Sequence, residues 1–148
     1  MIEIKLCGLK EPSHIKAAFN LGIKYLGFVF FEKSPRFLRN DTAKSLISLT
    51  PPGIMKVGLV VNPSDECLNS ISGLNLDMLQ LHGSESLDRV KEIKSKFNFS
   101  LIKAIGIKEK KDLDLVESYS EVADHLLIDA KPSPTSRLPG GNGIKFDW

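Results

Sequence analysis

The sequence predicts an α/β fold in which parallel strands and helices alternate around a barrel, and three observations support this fold class. Short apolar runs rich in Val, Ile and Leu recur along the chain, as in parallel strands that are buried on both faces. Each run leads through a polar or glycine-containing turn into a segment whose apolar residues have helical spacing. No G-x-G-x-x-G sequence follows the first run, so the fingerprint of a dinucleotide-binding doubly wound sheet is missing.

Six strands are predicted, and a parallel arrangement brings their C-terminal ends together. They cover residues 3–7, 25–30, 55–61, 78–81, 101–105 and 125–128, the last ending at Asp129. Right-handed crossover helices between parallel strands place all these ends on one face of the sheet. That face is where functional side chains are expected.

Local start and stop signals define the predicted helices. Proline is favoured in the first helical turn, and Ser, Thr or Asp is favoured at the N-cap. The helices are predicted to begin at Pro12, at a cap formed by Asp41 or Thr42, at a cap formed by Ser64 or Asp65, at Ser86 and near Lys110. Gly22 ends the first and Pro51-Pro52-Gly53 ends the second. A loop rich in proline and glycine follows the sixth strand, from 130 to 143.

Composition argues against several classes of protein. The chain of 148 residues is 42% hydrophobic and 26% charged, which is ordinary for a globular protein, and we expect one domain over residues 1–148. A net charge of +2 without a block of Lys and Arg gives little support for nucleic-acid binding. No apolar run approaches the ~20 residues needed to span a membrane, and the first residues lack a signal-peptide pattern. Cys7 and Cys67 have no disulfide or metal-ligand spacing, so we expect a cytoplasmic protein without a metal site.

A short set of polar groups stands at the predicted strand ends. They are Cys7, the Ser34-Pro35-Arg36 loop, Asn62, His82 with Gly83, Gly106 and Asp129. Alternation along the first strand places Cys7 and Lys5 on the same face, which we expect to be the barrel interior. A nearby cation would favour the Cys7 thiolate, whereas the alternative is an inert core cysteine. Cys67 lies mid-helix among apolar residues and is predicted to belong to the core.

The other candidates each have a functional and a structural interpretation. Asp129 ends an apolar strand, so partial desolvation could keep it protonated as a proton donor, or it could be a solvated loop acid. Arg36 could hold a carboxylate with two parallel hydrogen bonds, or it could be an ordinary surface arginine. His82 could shuttle protons or position a substrate, and Gln80 shares its strand face. Gly140 and Gly141 could cradle an anion with backbone N–H groups, or form a lid or a linker.

Six motifs together resemble those of the phosphoribosylanthranilate isomerase family. In chain order they are Lys5-Leu6-Cys7-Gly8, Gly27-Phe28-Val29-Phe30 with Ser34-Pro35-Arg36, Val57-Gly58-Leu59-Val60-Val61-Asn62, Gln80-Leu81-His82-Gly83, Leu127-Ile128-Asp129-Ala130-Lys131, and Gly140-Gly141-Asn142-Gly143 through Phe146-Asp147-Trp148. The resemblance implies a TIM (β/α)8 barrel. It also implies an Amadori rearrangement of N-(5-phosphoribosyl)anthranilate to 1-(2-carboxyphenylamino)-1-deoxyribulose 5-phosphate in tryptophan biosynthesis, without a metal or organic cofactor.

The resemblance also implies roles for particular residues. Cys7 would be the general base, Asp129 the general acid, and Arg36 the group that binds the anthranilate carboxylate. His82, Gln80, Gly140 and Gly141 are the remaining candidates for substrate binding. Asn142 departs from the family, which more often has Thr or Ser at that position.

The length of the chain predicts an open partial barrel. A TIM barrel usually needs at least about 200 residues, so we expect about six βα units and an incomplete C-terminal part. Strands seven and eight, with their phosphate-binding loops, would be missing, and the isolated chain would be a weak catalyst. Three hypotheses follow: an isomerase portion that is active when completed by a complementary chain, a non-catalytic interaction module that can self-associate through its open sheet edges, and another sugar-phosphate isomerase. Arg36 and the acid–base pair argue against the third.

Overall fold

The computed structural model describes residues 2–133, 135–136 and 138–140, and within them six strands alternate with helices. The strands are β1 (Lys5–Cys7), β2 (Tyr25–Val29), β3 (Met55–Val60), β4 (Met78–Leu81), β5 (Ser100–Ile107) and β6 (His125–Ala130). The helices are α1 (Pro12–Asn20), α2 (Asn40–Ser48), α3 (Asp65–Ser72), α4 (Leu87–Lys96) and α5 (Asp114–Ser120), with a 3-10 helix (Lys110–Leu113) before α5.

The strands form one parallel sheet in which each strand pairs with the next one along the chain, from β1 to β6. The register brings Cys7 beside Gly27, and it brings Gly106 beside Asp129 at the other edge. A doubly wound sheet reverses its strand order, whereas a barrel does not, so the predicted barrel class is confirmed. Among the described residues β1 pairs only with β2 and β6 only with β5, which makes the sheet an open partial barrel.

The core lies mainly between the sheet and the helices. Alternate strand residues such as Phe28, Leu79 and Leu101 are fully buried there against helical residues such as Leu68 and Ile93. A smaller cluster covers the concave face of the sheet and consists of Val57, Met78 and Ile102, with Tyr25, Met55 and Leu127 packed against it. Packing against the helices therefore holds the strands in place. On the concave face, polar residues lie between this small cluster and the C-terminal ends of the strands.

Helix starts agree with the sequence where a side chain caps the helix. Ser64 Oγ accepts the Cys67 N–H and Ser86 Oγ accepts the Arg89 N–H, both at 3.2 Å, so these two predicted caps are confirmed. The cap predicted at Asp41 or Thr42 is wrong. Helix α2 begins at Asn40 because the Arg39 carbonyl already accepts the Ala43 N–H, without a side-chain cap.

The structure corrects four further boundaries. β1 lacks Glu3 and Ile4, although the Ile4 carbonyl still accepts N–H groups from β2. The helix predicted near Lys110 opens as a 3-10 turn because Asp112 Oδ2 accepts the N–H groups of Lys108 and Glu109. β5 extends to Ile107 and β6 extends to Ala130, so Asp129 is the last residue but one of the strand rather than its end.

Apolar side chains remain exposed beside both edge strands. Ile4 is 55% and Leu6 43% exposed at β1, and Ile128 is 37% exposed on β6. Ile4 and Leu6 alternate with Lys5 and Cys7 and so lie on the helix side of the sheet, but no helix in the described part of the chain covers them fully. None of the described helices combines the length and apolar character that a membrane span requires.

Candidate active site

The ends of β1, β2, β4 and β6 enclose a cavity of about 240 Å³ on the concave side of the sheet. Its lining includes Cys7, Arg36, Gln80, His82, Asp129 and Gly140. The structure thus brings together every residue suggested above for catalysis or substrate binding except Gly141, which lies outside the described residues. These residues come from separate βα units, so their convergence depends on the parallel arrangement of the strands. The other strand-end residues, Asn62, Gly83 and Gly106, line a second cavity.

Cys7 occupies the last position of β1 and points toward the cavity with Lys5. Its neighbour in register is Gly27, and a β-carbon at Gly27 would lie 2.6 Å from the Cys7 sulfur. Glycine at that position therefore leaves the space that the thiol occupies. Gly8 follows with a φ of +85°, a left-handed conformation that turns the chain away at once.

Arg36 lies in the loop between β2 and α2 and crosses over Gly8. Its Nη1 donates a hydrogen bond to the Cys7 carbonyl at 3.2 Å, and its own N–H donates to Ser34 Oγ at 3.1 Å. A guanidinium has five N–H donors, so this anchorage leaves others to bind an anion in the cavity. A β-carbon at Gly8 would collide with the Arg36 side chain, which explains why the turn contains glycine.

A row of three polar side chains crosses the other half of the cavity. Gln80 Nε2 lies 3.0 Å from His82 Nδ1, and His82 Nε2 lies 3.4 Å from Asp129 Oδ2. Asp129 Oδ1 also accepts the Ala130 N–H at 2.8 Å. Burial lowers the pKa of His82, and Lys103 and Lys5 act in the same direction, while Asp129 opposes them. The imidazole is therefore neutral near pH 7.

Gly140 closes this side of the cavity. A β-carbon placed on Gly140 would collide with His82 Nε2 and would lie 2.8 Å from Asp129 Oδ2. The backbone thus passes directly over the contact between the imidazole and the carboxylate, and only glycine fits there. This observation gives Gly140 a steric role that glycine content alone did not indicate.

A buried ion pair beneath His82 was not identified from the sequence. Lys103 on β5 and Glu85 in the loop before α4 are 2% and 3% exposed, and Lys103 Nζ lies 2.8 Å from Glu85 Oε2. Glu85 Oε1 accepts the N–H groups of Asn62 at 2.8 Å and Gly83 at 3.0 Å. The pair therefore ties together the ends of β3, β4 and β5. A lysine inside the apolar strand Leu101–Ile105 was the available signal.

A second cavity, of about 540 Å³, adjoins the first and extends toward the end of β5. The two cavities share His82 and Asp129, and the second also contains Lys103, Tyr119 and Lys131. Within the described part of the chain, no three His, Cys, Asp or Glu side chains are grouped so that they could hold a metal ion.

Cys67 differs from Cys7 in its surroundings. It lies on α3, partly buried against the main core, as the sequence predicted. Burial raises the pKa of its thiol, with a smaller contribution from Glu32, so this cysteine stays protonated and unreactive near pH 7.

The parallel βα units and the polar residues gathered at their strand ends define a member of the (β/α)-barrel class. A family model described as N-(5'-phosphoribosyl)anthranilate (PRA) isomerase matches residues 4–148. The isomerases of Paracoccus denitrificans and of Ruegeria sp. strain TM1040 are each 47% identical over 148 residues. Each alignment covers 99% of this chain and 69% of the relative. The chain belongs to the N-(5'-phosphoribosyl)anthranilate isomerase family.

Solved structures agree with this assignment. The Thermotoga maritima phosphoribosylanthranilate isomerase superposes with a TM-score of 0.82 at 28% identity, over 90% of this chain and 64% of that chain. A second isomerase structure, which holds reduced 1-(o-carboxyphenylamino)-1-deoxyribulose 5-phosphate, gives a TM-score of 0.80 at 28% identity, over 88% of this chain and 66% of that chain. The chain thus spans about two thirds of the length of these relatives.

Proposed function

We propose that the protein isomerises N-(5'-phosphoribosyl)anthranilate in tryptophan biosynthesis, in the cytoplasm. The observation that carries the proposal is the convergence of Cys7, Asp129 and Arg36 on one cavity in a chain of this family. A related isomerase holds a reduced carboxyphenylamino-deoxyribulose phosphate, which indicates a small phosphorylated substrate of the same kind. No nucleic acid or membrane takes part in this reaction.

In the proposed reaction, Asp129 acts first as the general acid. Its carboxyl proton passes to the ring oxygen of the aminoribose, the bond from that oxygen to C1 breaks, and a protonated imine forms at C1. Asp129 is left as a carboxylate. Its two oxygens face the Ala130 N–H and the His82 imidazole, which are placed to stabilise that charge.

Cys7 then acts as the general base. The protonated imine withdraws electrons from C2, so the thiolate can remove the C2 proton and produce an enolamine. Protonation at C1 with loss of the enol proton gives the ketone, so the reaction is a net isomerisation. The proposed reaction therefore requires Cys7 and Asp129 to begin in opposite protonation states.

Arg36 is proposed to fix the anthranilate end of the substrate. Its guanidinium lines the same cavity as Cys7, and a planar fork of N–H donors matches the two oxygens of a carboxylate. Gln80, His82 and Gly140 complete this part of the proposed binding surface. Gly141 follows Gly140 in the sequence and is proposed to bind substrate with it.

A complementing segment or second chain is proposed to supply the phosphate contact. In (β/α)8 barrels, the loops after strands seven and eight commonly bind phosphate. The exposed Ile4 and Leu6 beside β1 and Ile128 on β6 suit such a neighbour. The second candidate function, an interaction module without catalysis, is supported by the same exposed edges.

The acid and base can be tested by substitution in the full-length protein, by which we mean this chain together with the complementing segment proposed above. We expect Cys7→Ser and Asp129→Asn each to lower kcat at least about a hundredfold, because general acid–base groups contribute that much or more. Circular dichroism should remain unchanged, and Cys67→Ser should retain activity. Near-normal turnover by either site variant would contradict the assignment of that residue, whereas absence of turnover in the unaltered protein would favour the interaction module.

A further inference from the structure

The row formed by Gln80, His82 and Asp129 contains a feature that the proposed reaction does not explain. Gln80 is only 1% exposed, yet its Oε1 has no hydrogen-bond partner among the described residues. Its Nε2 points at His82 Nδ1 at 3.0 Å. A buried amide with an unpaired oxygen is costly, by about 1–3 kcal/mol, so its single contact with the histidine requires an explanation.

The chemistry of that contact fixes the proton on the imidazole. An amide nitrogen can only donate, so His82 Nδ1 must accept and cannot carry a proton. Since burial keeps His82 neutral, its one N–H then lies on Nε2. Nε2 is the nitrogen that faces Asp129 Oδ2 at 3.4 Å. The charged groups that act on this ring are Asp129, Lys103 and Lys5.

The reversed amide orientation gives an unfavourable arrangement. With Oε1 toward the ring, Nδ1 would carry the proton and Nε2 would present a lone pair to Asp129. Two lone pairs would then face each other whenever Asp129 is a carboxylate. The donor orientation instead gives attractive contacts at both ring nitrogens.

We propose that Gln80 is a positioning residue whose amide donor fixes the Nε2–H tautomer of His82 and thereby aims that proton at Asp129. This inference rests on the proposed isomerase reaction for its catalytic consequence, although the tautomer itself does not depend on that reaction. When Asp129 gives its proton to the substrate, the new carboxylate accepts hydrogen bonds from His82 Nε2 and from the Ala130 N–H. Gln80 acts on the reaction without touching the reacting atoms.

The tautomer can be observed directly by ¹⁵N NMR of the imidazole nitrogens. The sequence contains three histidines, and His14 and His125 are exposed, so His14→Gln with His125→Gln leaves His82 as the single signal. In the 148-residue chain with Gln80 intact, we expect the Nδ1 resonance of an unprotonated acceptor and the Nε2 resonance of a protonated nitrogen. A protonated Nδ1 in this protein would overturn the inference without any change at Gln80.

Two substitutions test whether Gln80 sets that state. Gln80→Met removes the donor at similar volume, and we expect both resonances to move toward the average of two tautomers. Gln80→Glu offers an acceptor instead, and we expect Nδ1 to become protonated. Leu79→Met is the matched control, because Leu79 is buried on the opposite face of β4, and it should leave His82 unchanged. An unchanged tautomer in Gln80→Met would contradict the proposal.

Kinetics separate this inference from the proposed function. Loss of one orienting hydrogen bond should lower kcat about tenfold in Gln80→Met. A shifted tautomer with unchanged kcat would overturn the catalytic role of Gln80. Absence of isomerase activity in the unaltered full-length protein would overturn the proposed function, whereas the NMR result would still decide the tautomer.

Discussion

At Gly140 one methyl group is enough to disturb the contact between His82 and Asp129. A β-carbon there would collide with His82 Nε2 and crowd Asp129 Oδ2. We predict that Gly140→Ala lowers kcat/KM at least about tenfold, because small displacements of an acid are costly to catalysis. Steady-state assays of the full-length protein would measure this effect. Gly73→Ala is the control, because a β-carbon at Gly73 has open space around it, and this variant should have normal kinetics. Equal activity of the two variants would refute the steric role of Gly140.

The sequence predicts single residues well where they stand at strand ends. Cys7, His82 and Asp129 each follow or end an apolar run, so the parallel arrangement alone brings them to one face. Lys103 and Glu85 escaped prediction because they belong to different βα units and lie 18 residues apart in the chain. Whether a lysine in an apolar strand is paired depends on which loop folds over it, and local spacing does not contain that information.

Among the secondary-structure elements, the Lys103–Glu85 pair links the ends of three strands. We predict that Lys103→Met destabilises the protein by about 3 kcal/mol or more, because Glu85 would keep a buried and unpaired charge. Urea unfolding would measure the loss. The double variant Lys103→Met with Glu85→Gln should recover part of it, since no charge then remains buried.

An exposed ion pair provides the control for this prediction. Lys96 and Glu92 form a contact on α4 with side chains 48% and 40% exposed. Lys96→Met should cost less than about 1 kcal/mol, as is usual for surface pairs. Equal losses for Lys103→Met and Lys96→Met would show that the buried pair does not hold the strand ends together.

Asp112 makes the 3-10 turn before α5 sensitive to acid. The Lys131 ammonium, with the N–H groups of Glu109 and Lys108, holds the pKa of Asp112 well below its ordinary value of 3.8. A carboxylate with a depressed folded pKa stabilises the fold above the unfolded pKa, and this contribution is lost as the pH falls toward the folded pKa. We predict that Asp112→Asn is less stable than the unaltered protein at pH 7 and that the difference shrinks below about pH 4.

Urea unfolding at several pH values would check the role of Asp112. Asp114→Asn is the control, because Asp114 is exposed on the same segment and its replacement should leave the stability at pH 7 nearly unchanged. A difference between Asp112→Asn and the unaltered protein that stays constant down to about pH 2 would contradict the prediction. The sequence analysis predicted an ordinary helix from about Lys110. The helical spacing there did not reveal that Asp112 would cap a 3-10 turn before α5.

For the whole molecule, the order of strands could be predicted because each βα unit repeats the same local pattern. What the pattern could not show is how much apolar surface remains uncovered beside β1 and β6. Phe19 and Leu21 at the end of α1 are 54% and 76% exposed, close in the chain to the exposed strand β1. Edge strands with exposed apolar residues readily pair with other chains.

We therefore predict that the 148 residues expressed alone self-associate as concentration rises, which sedimentation or light scattering would detect. Leu6→Lys should weaken this association, because a charge on an edge strand opposes pairing between edges. Leu49→Lys is the matched control, since Leu49 is 56% exposed at the end of α2, away from both edge strands, and should leave association unchanged. A chain that stays monomeric at all concentrations would contradict the prediction, and equal weakening by both lysines would show that the β1 edge is not the contact.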